Sequence, residues 1–239
     1  MRYSTAFVIA ALALPHAAAL PAQTPADATT PNSLSAAEAA EGFRLLFDGT
    51  SMRSWRGYQR PSMDSGWRAV DGALTVVGRA RDIVTVDEFQ NFELRLQWRV
   101  PPGGNSGVMF HVGEVLQSPW LTGPEMAVLD DARHPDGQSR LTSAGAAHSV
   151  YAAPSGAVRP ANEWNDARLI VNGSHVEHWL NGVKVIEYEL GSDDWQTRVR
   201  NSKFGQWPSY GSLATGRISL QGDHGPGVAF RSIRIRVLP

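Results

Sequence analysis

The chain has 239 residues and no cysteine, so disulfides and thiolate chemistry are excluded and a fold must stand on its core alone. Its 42% apolar and 9% aromatic content is enough for one sizeable domain, and 23 glycines with 15 prolines suit many short strands joined by turns. A formal net charge of -1 speaks against a nucleic-acid partner or an anionic membrane surface.

At the amino end, Arg2 gives a short basic start and residues 6–14 form an apolar run too short to span a bilayer. Ala17-Ala18-Ala19 then supplies the small residues that a signal peptidase accepts. Residues 1–19 are therefore expected to be a secretory signal, cut near Ala19 or Ala22, with a bacterial periplasm as destination. No cysteine follows the run, which excludes a lipid-anchored cysteine, and no transmembrane segment is expected in the mature chain. Residues 20–40, rich in Ala, Thr and Pro, read as a flexible linker with a helical turn near Ala36–Ala40.

From residue 41 to 239 the texture is that of strands. Phe92, Leu94, Leu96, Trp98 and Val100 alternate with Glu93, Arg95, Gln97 and Arg99, the period of a half-buried strand. Asp71-Gly72, Asn172-Gly173 and Asn181-Gly182 sit between β-rich runs and mark hairpins. The last two delimit a strand at His175–Leu180, so a meander is expected over residues 167–190. Ile233, Ile235 and Val237 alternate with Arg234 and Arg236 in a closing strand over residues 228–238. No long helical period and no internal repeat is present. The expected fold is all-β, an antiparallel β-sandwich of jelly-roll type.

Several stretches, in order, carry a family resemblance. Gly42-Phe43-Arg44-Leu45-Leu46-Phe47-Asp48-Gly49 with Trp55, then Asn105-Ser106-Gly107-Val108-Met109-Phe110, residues 125–130 and Glu163-Trp164-Asn165 are its first half. Trp179-Leu180-Asn181-Gly182, Ser202-Lys203-Phe204, Leu220-Gln221-Gly222-Asp223-His224-Gly225 and Phe230-Arg231-Ser232-Ile233 complete it. Together they resemble the 3-keto-disaccharide hydrolase domain family from about Gly42 to Leu238. The resemblance implies a concanavalin-like sandwich and activity on 3-keto-glycosides. The family has arginine where this chain has His111 and glutamine where it has Ala127, and residues 144–151 are irregular against its compact pattern.

A 3-keto group acidifies the neighbouring C2–H, so a base can remove that proton and the C1 oxygen can leave by elimination, with water adding back afterwards. The route needs a base near C2, positive charge or donors on the enolate, and an acid for the leaving group. Glu125, after Gly123-Pro124 and before the apolar residues 126–129, is the first candidate carboxylate; by residue type alone it would be a solvated strand-end charge. Asp130 is five positions on and points to the opposite face of a regular strand, and the Glu-x-Asp-x-x-Glu pattern of retaining glucanases is absent, so a two-carboxylate glycosidase is disfavoured. His224, beside Asp223 in a Gly-rich loop after a strand over residues 217–221, is suited to proton transfer or else braces a turn. Lys203, resting on the family match, would place positive charge on the enolate oxygen. Asn105, His111, Asp130, Asp223 and Trp207 are expected to bind substrate; Asn105 alternatively forms a turn, and His111 reaches less far than the arginine it replaces. Trp98 is assigned to the core, whereas Trp120, Trp195 and Trp207 are either sugar-stacking platforms or plugs under loops. No metal motif is present and no cofactor is assigned, which leaves room for a divalent cation held by Glu125, Asp223 or His224 with substrate oxygens. The expected partner is a carbohydrate, and nothing in the sequence sets an oligomeric state. The alternative to an enzyme is a lectin-like module that holds a glycan on the same sheet without cleaving it.

Overall fold

A computed structural model describes Met1 and residues 30–239 of the chain. Residues 2–29, which carry the expected export signal and the first half of the linker, lie outside the described residues. After a short helix, α1 (Ala36–Ala40), come strands β1 (Arg44–Leu45), β2 (Trp55–Gly57), β3 (Trp67–Val70), β4 (Ala73–Val76), β5 (Ile83–Thr85), β6 (Phe92–Arg99), β7 (Asn105–Val112) and β8 (Glu125–Leu129). The second half holds β9 (Asn165–Asn172), β10 (His175–Leu180), β11 (Val183–Glu189), helix α2 (Asp193–Arg200), β12 (Arg217–Leu220) and β13 (Ala229–Val237). An eight-stranded sheet runs β11-β10-β9-β6-β13-β4-β3, with β1 also paired to β13, and a five-stranded sheet runs β2-β5-β12-β7-β8. Every pairing is antiparallel, and the two sheets form the expected sandwich. Among the described residues no helix is long and apolar enough to cross a membrane.

The hairpins stand where the turn dipeptides place them. Asp71 and Gly72 both have positive φ, as do Asn181 and Gly182, which is the backbone of the tight turn that matches strand twist. Phe92, Leu94, Leu96 and Trp98 of β6 point inward and meet Val108, Phe110, Met126, Val128, Ile218 and Leu220 from the smaller sheet. α2 has no counterpart in the apolar pattern, because Trp195 is its one buried residue. Its local chemistry is nonetheless helical: Ser192 caps it, Asp193 and Asp194 occupy its first turn, and Arg198 and Arg200 its last.

Two features tie down the outer surface of the larger sheet. Within the stretch expected as a linker, α1 is present where a helical turn was anticipated, closed by a Ser35–Glu38 capping box. Asn32 accepts from Ser232 N and donates to Gly72 O, each at 2.8 Å, and Glu38 meets Arg234 at 2.6 Å, so residues 30–41 are fastened to the last strand. Beside them Glu93, 1% exposed, receives Arg95, Arg168 and Arg236 at 2.6–2.7 Å. Burial works to raise its pKa, but donation by Arg168, Arg95 and Arg236 outweighs burial and holds it at about 2. Glu93→Gln removes the buried charge that three guanidinium groups share and leaves Arg95 and Arg236 only Glu38 and Glu41, and it should cost about 2–3 kcal/mol in urea unfolding at pH 7. Because the folded pKa is depressed, this stability is present above the unfolded carboxylate pKa and is lost as pH falls towards about 2, so the gap between wild type and variant should shrink on acidification.

Candidate active site

The outer face of the smaller sheet is where the chemistry gathers. Alternation in β7 sends Val108 and Phe110 into the core and leaves Asn105, Gly107 and Met109 on the outside. A bulge opposite Ile218, with His111 at φ 49°, then turns Val112 outward to join Met109, Val84, Tyr58 and Trp120 in a second apolar cluster. Glu125 pairs with Met109 at the start of β8, and its side chain leans over Gly107. A Cβ at position 107 would come to 2.6 Å of its Cδ and 2.7 Å of its Cγ, so glycine is what leaves the carboxyl its place.

The edge of β8 is covered by residues 144–151, the stretch that departs from the family's spacing. Ala127 N donates to Ala146 O, Gly145 N to Ala127 O, and His148 N to Glu125 O, all at 2.9–3.0 Å. This added rung sets the His148 ring beside the site, where Lys203 Nζ donates to His148 Nε2 at 2.9 Å. Lys203 also lies over Trp120 and Phe204, at 5.9 and 5.1 Å from their ring centres.

Burial pushes the Glu125 pKa up, against the pull of Lys203, and with Asp82, Asp136 and Asp223 adding to the rise it stands at about 8. Burial and then Lys203 lower His148 to about 4, which keeps its imidazole neutral and able to accept from the ammonium. Asp82, just before β5, is raised by burial to about 7 although Gly222 N donates to it, with Asp223 adding to the rise. Oppositely shifted acids and bases in one cluster are what proton-transfer chemistry requires.

Of the residues expected from sequence, Glu125, Lys203, Asn105, Asp223 and His224 are brought to this face. Asn105 Nδ2 lies 3.4 Å from His134 Nε2. Asp223 acts on Glu125 and Asp82, and His224 acts on His148 from an exposed loop position. The Asp223–His224 pair stands at 3.6 Å. Asp130 is not brought to the cluster: its carboxylate accepts from Gly103 N at 2.8 Å and Ala132 N at 3.1 Å and braces the loop ends. His111 is also elsewhere, 2% exposed, with its ring against Phe92 and Phe110 and Nε2–H donating to Gln90 O. The bulge that re-aims the strand carries its side chain away from the substrate face. Trp207 is half-buried against the main core, and Trp195 is a plug stacked between Tyr188 and Tyr210. Trp120 flanks the site, with Lys203 over its ring.

Asp82, Asp136, His134 and His148 were not singled out from sequence. His148 lies within the irregular residues 144–151, and Asp82 precedes Ile83-Val84-Thr85 with no pattern of its own. Among the described residues, three metal-ligating atoms come within 4.8 Å at His175, Glu177 and Glu187. That group is on the larger sheet, and Lys184 Nζ already sits 3.6 Å from Glu177.

A sandwich sheet with a buried acid, a cation and several histidines on its outer face is equipped for proton-transfer chemistry. Residues 42–236 match the family described as the 3-keto-alpha-glucoside-1,2-lyase-like domain, and the chain belongs to that family. A 3-keto-disaccharide hydrolase of Bacteroides thetaiotaomicron is 33% identical, in an alignment that covers 83% of this chain and 79% of that protein. Among solved structures, a Parabacteroides distasonis protein assigned as a glycosyl hydrolase superposes with a TM-score of 0.82 at 33% identity, covering 88% of this chain and 100% of its own. A second from the same organism gives 0.67 at 28% identity, over 82% and 99%. The chain is thus a 3-keto-disaccharide hydrolase-type carbohydrate-active protein.

Gly107→Ala tests the geometry directly. The added methyl displaces the Glu125 carboxyl while the strand itself is retained. Turnover of a 3-keto-disaccharide should fall about 100-fold, the scale set by misplacing a reacting group by an ångström, with far-UV circular dichroism unchanged.

Proposed function

We propose that this protein cleaves 3-keto-glycosides by abstraction of the C2 proton, with Glu125, Lys203 and His224 as the reacting machinery. The observation that carries the reading is the buried Glu125 carboxyl beside the Lys203–His148 pair. With its pKa at about 8, Glu125 holds its proton at neutral pH and is suited to protonate a departing oxygen rather than to attack. His224, exposed on the facing loop, takes the proton from C2. The C–H electron pair passes to C2–C3 and on to the C3 oxygen, giving an enolate that Lys203 stabilises. Collapse of the enolate restores the ketone, forms the C1–C2 double bond and breaks the C1–O bond, and the leaving oxygen takes the Glu125 proton. Addition of water then places hydroxyl on C1 and hydrogen on C2, for net hydrolysis.

His148 is assigned to positioning, because its neutral Nε2 fixes the direction of the Lys203 ammonium without removing its charge. Asn105 is assigned to a sugar hydroxyl. The apolar run and small residues at the amino end support export to a periplasm, which the mature amino terminus, sequenced from the natural host, would begin after Ala19 or Ala22.

Incubation with 3-keto-trehalose in D2O, followed by mass spectrometry, separates the routes. Elimination and hydration place deuterium at C2 of the released 3-keto-glucose beyond that taken up by 3-keto-glucose alone; direct displacement at C1 gives none. Glu125→Gln should lower kcat at least 100-fold. Because Glu125 acts as an acid, kcat should fall as pH rises through about 8, and that basic limb should be absent from the residual activity of the variant. Binding of the substrate without any release of product would make the protein a glycan-binding module instead.

A further inference from the structure

With the bond to be cleaved at Glu125 and Lys203, the other half of the substrate needs a site of its own. A cavity of about 370 Å³ opens on the same face, lined by Tyr58, Arg60, Arg81, Asp82, Gln117 and Asp223 among others. It is near the lower end of small-molecule sites, roughly 300–1,000 Å³, which is room for one ring. Asp82 stands at the start of β5, and β5 is separated from β7 by β12 alone. At about 4.8 Å per strand, the cavity wall is thus on the order of 10 Å from the strand over which Glu125 leans. Asp82 and Asp223 of the cavity wall both help to raise the Glu125 pKa, so the cavity and the carboxyl share one electrostatic environment.

The lining is a sugar's complement rather than an aryl group's. One oxygen of Asp82 accepts from Gly222 N, and the other has no hydrogen-bond partner among the described residues. Arg60 and Arg81 make no ion pair among the described residues and are exposed. Carboxylate acceptors beside guanidinium donors satisfy vicinal hydroxyls, which each give and accept a bond. Tyr58 has no proton to offer a ligand, because its hydroxyl already donates to Leu116 O at 2.6 Å. Trp120, the aromatic ring of this face, is turned towards Phe204 and Lys203 instead. An aromatic leaving group in this cavity would strip water from Asp82 and the arginines without replacing their bonds.

We propose that the cavity bounded by Arg60, Arg81, Asp82, Gln117 and Asp223 is the leaving-group subsite, and that it selects a second sugar ring over an aromatic aglycone. The proposal rests on the reading that cleavage occurs at Glu125. Arg60→Ala, Arg81→Ala and the double variant would be assayed on a 3-keto-disaccharide and on 4-nitrophenyl 3-keto-glucoside, with circular dichroism as the fold control. The double variant should raise KM for the disaccharide and move the ratio of the two kcat/KM values at least tenfold towards the aryl substrate, the scale of losing a hydrogen bond to a charged group. An unmoved ratio, whether both activities hold or fall together, overturns the subsite and leaves the cleavage reading standing. A wild-type protein that converts neither substrate overturns both.

Discussion

A carboxyl group kept out of water above a glycine is the constraint on which this face depends. Among the described residues no cation forms an ion pair with Glu125, and Gly107 beneath it must offer nothing larger than hydrogen. Burial therefore sets its proton affinity, with neighbouring carboxylates reinforcing the same direction and Lys203 opposing it. The surrounding parts maintain that balance. The rung formed by residues 144–151 shuts the β8 edge, and the floor of Met109 and Val84 excludes water from one side.

Lys203, on the opposite side, is held by a scaffold of rings rather than by ion pairs. Tyr151, Tyr188, Trp195 and Tyr210 stack in succession, and Tyr210 lies on Phe204 with centroids 3.9 Å apart. The column runs from Tyr151 of the edge rung through Tyr188 of β11 and ends one residue from Lys203. His178, neutral because burial lowers it to about 4, runs a parallel link, with Nδ1–H donating to Gly145 O of the edge rung. Both sheets therefore contribute to where the site's cation stands, although only the smaller one carries Glu125.

The fold was legible in the residues because it rests on period-two patterns and turn dipeptides, both local properties of the chain. β10 could be delimited at both ends by its two Asn-Gly pairs. α2 was not legible, since a helix with one buried residue leaves no apolar period. The site was legible in part. Glu125, Lys203 and His224 carry family motifs, whereas His148 and Asp82 matter only because of what a loop and a strand end bring beside Glu125. His111 shows the reverse: alternation along a regular strand would keep it on the substrate face, and a single left-handed residue sends it to the core edge.

The fastening of residues 30–41 has a mechanical side. Asn32 reaches Ser232 and Glu38 reaches Arg234, so the segment leading into the domain grips its final strand near the carboxyl end. Tension applied through whatever precedes residue 30 would load β13 by way of these bonds before reaching β7 or β8. Since β13 pairs with β6 along most of its length, the pull is borne in shear by the larger sheet. The smaller sheet, with its carboxyl and its open face, hangs outside that line of force.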